Sequence, residues 1–193
     1  QRSLGRIVAV KMLAGGPLAS ETFVARFKAE AEAVAGLQHP GLVTVHEVGE
    51  DESGTPWFSM DYIAGPSLAE RLKDGPLEPR RAADLVEQIG KGLDAAHRLK
   101  IIHRDLKPDN VLVVAGPDGR ERVKVVDVGI AKAFGAEEGG LTKTGFVVGT
   151  PLYMSPEQAL GRDTVDARAD LYAFGAMLFQ LLTGAPPYEG KTS

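Results

Sequence analysis

The sequence has no cysteine, so disulfides and thiolate zinc sites are excluded and the redox compartment is left open. It also lacks any run approaching the roughly 20 apolar residues a membrane helix needs. No basic stretch followed by an apolar one at its start suggests a leader peptide. Positive charge is not in excess: a net charge of -4 gives no support to a polyanion-binding surface, and no nucleic-acid partner is expected. Internal repeats, low-complexity tracts and signs of disorder are missing as well. What remains is a chain of 193 residues, 44% hydrophobic, able to bury the core of one domain or one and a half. A cytoplasmic setting is the default expectation. The first residue is Gln1 and the last three, Lys191, Thr192 and Ser193, directly follow a helix and turn, so the stretch reads as a fragment cut at both ends.

The densest chemistry lies in His103-Arg104-Asp105-Leu106-Lys107-Pro108-Asp109-Asn110, read with Asp127-Val128-Gly129 one short hairpin later. So many polar groups between apolar runs have no structural necessity. They suit phosphoryl transfer from a nucleotide, in which one carboxylate orients the attacking hydroxyl, an amide and a second carboxylate hold Mg²⁺, and a cation meets the phosphate charge.

Along the chain, residues 6–13 form a β-branched run typical of a strand, interrupted by Lys11. After Gly15-Gly16-Pro17, Ser20 is placed to cap a helix that runs to about Leu37. Phe23, Phe27, Val34 and Leu37 fall on one stripe of that helix, and Glu30 sits on the same stripe. A carboxylate there is costly unless paired. Two solutions are open: pairing with Lys11 on the neighbouring strand, or a tilt to the stripe's edge and water, which surface base rates favour.

Residues 42–48 and 55–62 flank a turn and predict a β-hairpin. Ser67-Leu68-Ala69-Glu70 has capping-box spacing. Pro79 suits a first helical turn, and Leu85, Val86, Ile89, Leu93 and Ala96 carry a helix toward Arg98. Residues 111–114 and 122–126 bracket a turn, so a second hairpin brings Asn110 and Asp127 to adjacent ends, two oxygen-bearing side chains converging as a hard cation needs. Residues 133–148 are rich in Gly, Thr and charge and predict a mobile loop. Residues 170–182 are apolar nearly all round, which predicts a helix buried in the core, stopped by Gly184 and Pro186-Pro187.

Residues 103–110 and 127–129 resemble the catalytic loop and metal-binding turn of protein kinases. Gly149-Thr150-Pro151-Leu152-Tyr153-Met154-Ser155-Pro156-Glu157 resembles the segment where kinases receive the peptide and close the activation loop. The resemblance covers residues 4–188 and is nearest to bacterial serine/threonine protein kinases of the eukaryotic-like type. It implies an α+β, two-lobed fold: a partial small lobe over residues 1–62 with one helix on an antiparallel sheet, a linker at 63–66, and a partial, mainly helical large lobe over 67–193. It implies ATP with Mg²⁺ or Mn²⁺, protein substrates with Ser or Thr acceptors, and self-phosphorylation in trans.

Residue by residue, the resemblance implies that Lys11 holds the α- and β-phosphates and Glu30 orients it, which reverses the odds on that pair. Asp105 positions and deprotonates the acceptor hydroxyl, Lys107 neutralises the γ-phosphate, and Asn110 and Asp127 bind the metal. Lys107 and Thr150 are those of the serine/threonine class. Ala9, Met60, Asp61, Ile63 and Leu112 border the nucleotide, with Asp61 and Ile63 offering backbone groups to adenine. His103 and Asp170 brace the catalytic loop. Arg104, a cation beside Asp105 in a low-dielectric loop, favours a nearby phosphate, so a phosphorylated Thr142 or Thr144 is expected to pair with it and order the loop.

Three departures stand out. No Gly-rich phosphate loop precedes Lys11, Val128 replaces the aromatic usual in the metal-binding turn, and the distal arginine partner of Glu157 is missing. The smaller Val128 removes packing volume beside the helix carrying Glu30, which is expected to loosen the switch between active and inactive forms. By itself this stretch is expected to be weak or inactive as an enzyme. Two other readings stay open: a pseudokinase-like binding module, and a small-molecule phosphotransferase, a class that lacks the 149–157 segment.

Overall fold

The computed structural model describes residues 5–12, 21–129, 151–162 and 164–188. Ser20, the predicted loop at 133–148, and Thr142, Thr144 and Thr150 lie outside the described residues, as does the side chain of Phe23.

Strand β1 (Val8–Met12) pairs antiparallel with β3 (Pro56–Asp61), which pairs in turn with β2 (Val45–Glu50), so the sheet order is β1-β3-β2. The β2–β3 connection is the predicted hairpin. Asp51 closes it, its Oδ1 accepting from Ser53 N–H at 2.9 Å and Thr55 N–H at 2.8 Å, the local bonding that makes Asp a turn residue. Helix α1 (Glu21–Ala35) lays Phe27, Ala31 and Val34 on this sheet. Phe27 meets Phe58 with ring centroids 5.9 Å apart and planes tilted by 45°, and Val34 and Val45 complete a small core.

The rest of the chain is mainly helical. Ser67 and Glu70 form the expected capping box at the start of α2 (Leu68–Arg71), with Ser67 N–H donating to Glu70 Oε2 at 2.8 Å and Glu70 N–H to Ser67 Oγ at 3.1 Å. Helix α3 (Pro79–Arg98) begins with Pro79 in its first turn and is capped by Glu78, which accepts from the N–H groups of Arg80 and Arg81 at 3.0 Å. Its buried face carries Leu85, Val86, Ile89, Leu93 and Ala96, as the periodicity predicts.

Strands β4 (Val111–Ala115) and β5 (Glu121–Val125) form a two-stranded sheet against α3. Arg81 grips Glu121 in a bidentate ion pair at 2.7 and 2.8 Å, which holds the Glu121 carboxyl below its ordinary value despite partial burial. The segment before β2 continues this sheet: Val43 N–H donates to Val125 O at 2.9 Å and Val125 N–H to Gly41 O at 2.8 Å. The linker closes onto β4 too, Val113 N–H donating to Pro66 O at 2.9 Å, and a Cβ on Gly65 would collide with the Val113 carbonyl.

A short helix α4 (Pro156–Ala159) precedes α5 (Ala167–Thr183). The prediction that α5 is buried all round is corrected. Ala169, Asp170, Ala173, Ala176, Met177 and Leu181 are buried, whereas Leu171 is 59% exposed and Phe179 46%. Its apolar character exceeds what its neighbours here cover, and composition alone cannot distinguish these cases. Asp166, accepting from Arg168 N–H at 2.9 Å, is its cap, so Asp170 lies inside the first turn. The larger core joins α3, both β4 and β5, and α5, and includes Leu42, Leu68 and Leu106. Among the described residues no helix is long and apolar enough to cross a membrane.

Phe58 is fully buried at the centre of the smaller core, so Phe58→Ala is expected to cost about 3–5 kcal/mol, read as a lowered urea midpoint with unchanged slope.

Candidate active site

The loop between α3 and β4 carries Asp105, and its shape depends on residues distant in sequence. Asp170, fully buried on α5, accepts three hydrogen bonds: His103 N–H at 2.8 Å and His97 Nε2 at 2.7 Å on Oδ2, and Arg104 N–H at 2.8 Å on Oδ1. His103 is itself buried. Its Nδ1 accepts from Asp105 N–H at 3.3 Å, which leaves the proton on Nε2 to be donated to Val126 O at 3.0 Å. Burial holds this imidazole below its ordinary value, outweighing the nearby charges of Asp170, Asp105 and Asp127. Both His103 and Asp170 therefore brace the loop from beneath.

Asp105 is held at its carboxylate by two partners. Lys107 Nζ lies 2.9 Å from Oδ2 and donates to Oδ1 at 3.2 Å, and Asn110 Nδ2 donates to Oδ2 at 3.0 Å and to the Asp105 carbonyl at 2.7 Å. With the amide nitrogen so engaged, the amide oxygen of Asn110 is its remaining acceptor. The backbone of Asn110 accepts from Val126 N–H at 2.9 Å, so the loop and the 127–129 turn lie side by side, as the predicted hairpin requires.

Asp127 occupies left-handed backbone, φ +61°, as does Arg104 at +66°. Both carry a Cβ and both flank the proposed chemistry, where such strain persists only if the surroundings hold it. Asp127 Oδ2 meets Lys11 Nζ at 2.8 Å, an ion pair between β1 and the turn that pattern reading did not anticipate. Glu30, the expected partner of Lys11, is half-buried on α1. Asp127 Oδ1 is buried and has no hydrogen-bond partner among the described residues.

Of the residues assigned to the nucleotide, Ala9 on β1 pairs with Met60 on β3, and both are half-buried, as are Ile63 and Leu112. The Asp61 side chain is turned to β2, with Oδ1 2.8 Å from His46 Nε2 and Oδ2 3.4 Å from Thr44 N–H. Burial raises the Asp61 carboxyl, but these bonds outweigh it and hold the group below its ordinary value. The Asp61 N–H is engaged as well, donating to Thr44 O at 3.0 Å.

Sequence reasoning passed over His97, Gln158 and Tyr153. Tyr153 O–H donates to Gln180 on α5, and burial raises the phenol above its ordinary value. Gln158 Nε2 donates to the Arg104 carbonyl at 2.7 Å. The capping-box spacing of Ser155 and Gln158 was the available signal.

Asp170→Ala leaves the buried N–H of His103 and that of Arg104 without their acceptor, so a stability loss of about 3 kcal/mol is expected by urea unfolding. His97→Ala removes one partner only and is expected to cost less, about 1–2 kcal/mol.

The family model of the protein kinase domain matches residues 1–193. Among similar proteins, serine/threonine-protein kinase pkn3 of Myxococcus xanthus is 43% identical over 196 residues, covering 100% of this chain and 36% of that protein. Serine/threonine-protein kinase PknB of Mycolicibacterium smegmatis is 41% identical over 193 residues, covering 98% of this chain and 30% of that protein, and PknB of Mycobacterium tuberculosis is 40% identical with the same coverage. The chain thus spans about a third of the length of these relatives. With an antiparallel sheet and one helix joined to a helical part that supports the Asp105 loop, and with this match along its whole length, the chain belongs to the protein kinase domain family.

Proposed function

We propose that the protein carrying this chain transfers the γ-phosphate of ATP to Ser or Thr hydroxyls of other proteins. The observation that carries the reading is Asn110, which holds the Asp105 carboxylate through its side chain and the 127–129 turn through its backbone. The base and the candidate metal ligands are thereby one unit. The names of the relatives, all serine/threonine kinases, support the same reading.

In this reading Asp105 orients the acceptor hydroxyl and takes its proton, and Lys107, already on the Asp105 carboxylate, is the cation nearest the transferred group. Lys11, oriented by Glu30, meets the α- and β-phosphates, and Ala9, Met60, Ile63 and Leu112 with the Asp61 backbone border the adenine. Residues 1–62 and 67–193 act as the two lobes about the linker at 63–66. Arg104 is the partner for a phosphate on Thr142 or Thr144, and Thr150 belongs to the peptide-docking segment. The setting is cytoplasmic, and transfer between copies in trans is part of the same proposal.

The family implies a divalent cation, and the donors present fit one. Asp127 Oδ1 is a buried carboxylate oxygen with no hydrogen-bond partner among the described residues, and the Asn110 amide oxygen is the neutral donor across the paired backbone. Two oxygen donors supplemented by phosphates suit Mg²⁺ or Mn²⁺. Such an ion supplies charge neutralisation on the phosphates. Asn110 and Asp127 would hold it.

Asp105→Asn is expected to lower turnover about 10²- to 10⁴-fold in a peptide phosphorylation assay of the full-length protein, with ATP affinity little changed. Unaltered turnover would refute the proposed base. Asp127→Asn is expected to abolish the Mg²⁺ dependence of nucleotide binding, measured by titration with and without the metal. Equal nucleotide affinity in the variant and the parent would favour a binding module over an enzyme.

A further inference from the structure

Arg104, the residue before Asp105, holds φ at +66°, a conformation its Cβ disfavours. Both peptide groups around it are gripped from outside the loop. The peptide before it donates its N–H to Asp170 Oδ1 at 2.8 Å. The peptide after it, planar and shared with Asp105, is held at both ends: its carbonyl accepts from Gln158 Nε2 at 2.7 Å, and its N–H donates to His103 Nδ1 at 3.3 Å.

Gln158 lies in α4 directly after the 149–157 segment. Its Oε1 accepts from the N–H and the Oγ of fully buried Ser155, each at 3.1 Å. Those two bonds cap α4 and also fix the side-chain amide so that its nitrogen faces Arg104. A helix cap needs only the oxygen. The bond from Nε2 to the catalytic loop is surplus to that role, and it is the link that joins the docking segment to the peptide plane of Asp105.

We infer that Gln158 is a positioning residue, which sets the Arg104–Asp105 peptide, and through it the Asp105 carboxylate, relative to the segment that receives the acceptor peptide. The inference rests on the phosphoryl-transfer reading above. It assigns Gln158 no contact with ATP, so its loss should act on turnover and on peptide use while sparing nucleotide binding.

The test compares the full-length parent with Gln158→Glu and Gln158→Ala. Gln158→Glu keeps the size and the capping oxygen but sets an acceptor against the Arg104 carbonyl. Expected is a fall in kcat of about 10- to 100-fold, with KM for ATP within about twofold of the parent. The deficit should shrink as pH falls toward the carboxyl range, since a protonated Glu can donate again. Gln158→Ala removes the capping oxygen and the Nε2 donor together and should lose at least as much in kcat. A parental kcat in Gln158→Glu beside a loss in Gln158→Ala would assign the effect to the helix cap and overturn the proposal.

Hydrogen exchange supplies a readout that needs no activity. Exchange of the Arg104 and Asp105 amides should quicken about tenfold or more in Gln158→Glu. Unchanged exchange would overturn the proposal whether or not transfer is seen. A parent protein that transfers no phosphate, together with quickened exchange in the variant, would remove the transferase reading and support the contact itself.

Discussion

One buried carboxylate organises the functional half of this molecule. Taking a charge out of water is costly unless its lone pairs are satisfied, and Asp170 meets that condition with two backbone N–H groups and one imidazole. Its place in the first turn of α5 adds the favourable end of the helix dipole. The same three bonds convert a helix anchored in the larger core into a support for the loop at Asp105. From there the order propagates: His103, fixed as the neutral Nε2–H form, passes it to the Val126 carbonyl and so to the turn at Asp127. Candidate base and candidate metal ligand thus refer to a single buried point.

That arrangement explains how the site tolerates two strained residues. Positive φ at Arg104 and at Asp127 costs about 1–3 kcal/mol each in general experience. Asp tolerates this region better than Arg, so the external support matters most at Arg104. Arg104 is clamped on both sides by Asp170 and Gln158, and Asp127 is held by its neighbour Val126, which donates to the Asn110 carbonyl, and by the ion pair with Lys11. The strain aims two carboxylates into one region, and the bonds that keep it there come from α4, α5 and β1.

What could be read from the chain alone follows from the range of each interaction. Helix α3 was legible because Pro79 and an apolar period of 3.6 are local, and the Ser67 and Glu70 box because its spacing is its mechanism. The polar cluster of residues 103–110 was legible because so many polar types crowd one loop. The bond from His103 N–H to Asp170 spans 67 residues, and no local pattern announces it; family resemblance alone suggested the bracing role. The Lys11–Asp127 pair and the Gln158 link have the same character. Helix α5 was misjudged for a different reason: hydropathy reports how much a helix could bury, and Leu171 and Phe179 show that less is buried among the described residues.

Val128 bears on how the turn communicates with α1. Val128, smaller than the aromatic that the resemblance leads one to expect there, is buried in the larger core. The contact toward α1 is made by the next residue: Gly129, at φ +74°, lies so near that a Cβ would sit 2.8 Å from Ile101 Cγ2 and 3.5 Å from Val34 Cγ2. Val34 shares α1 with Glu30. Lys11, on the sheet against which α1 packs, is bound to Asp127 at 2.8 Å. The 127–129 turn is thus tied to the sheet by an ion pair and lies against α1 at a position where only glycine fits without displacing a neighbour.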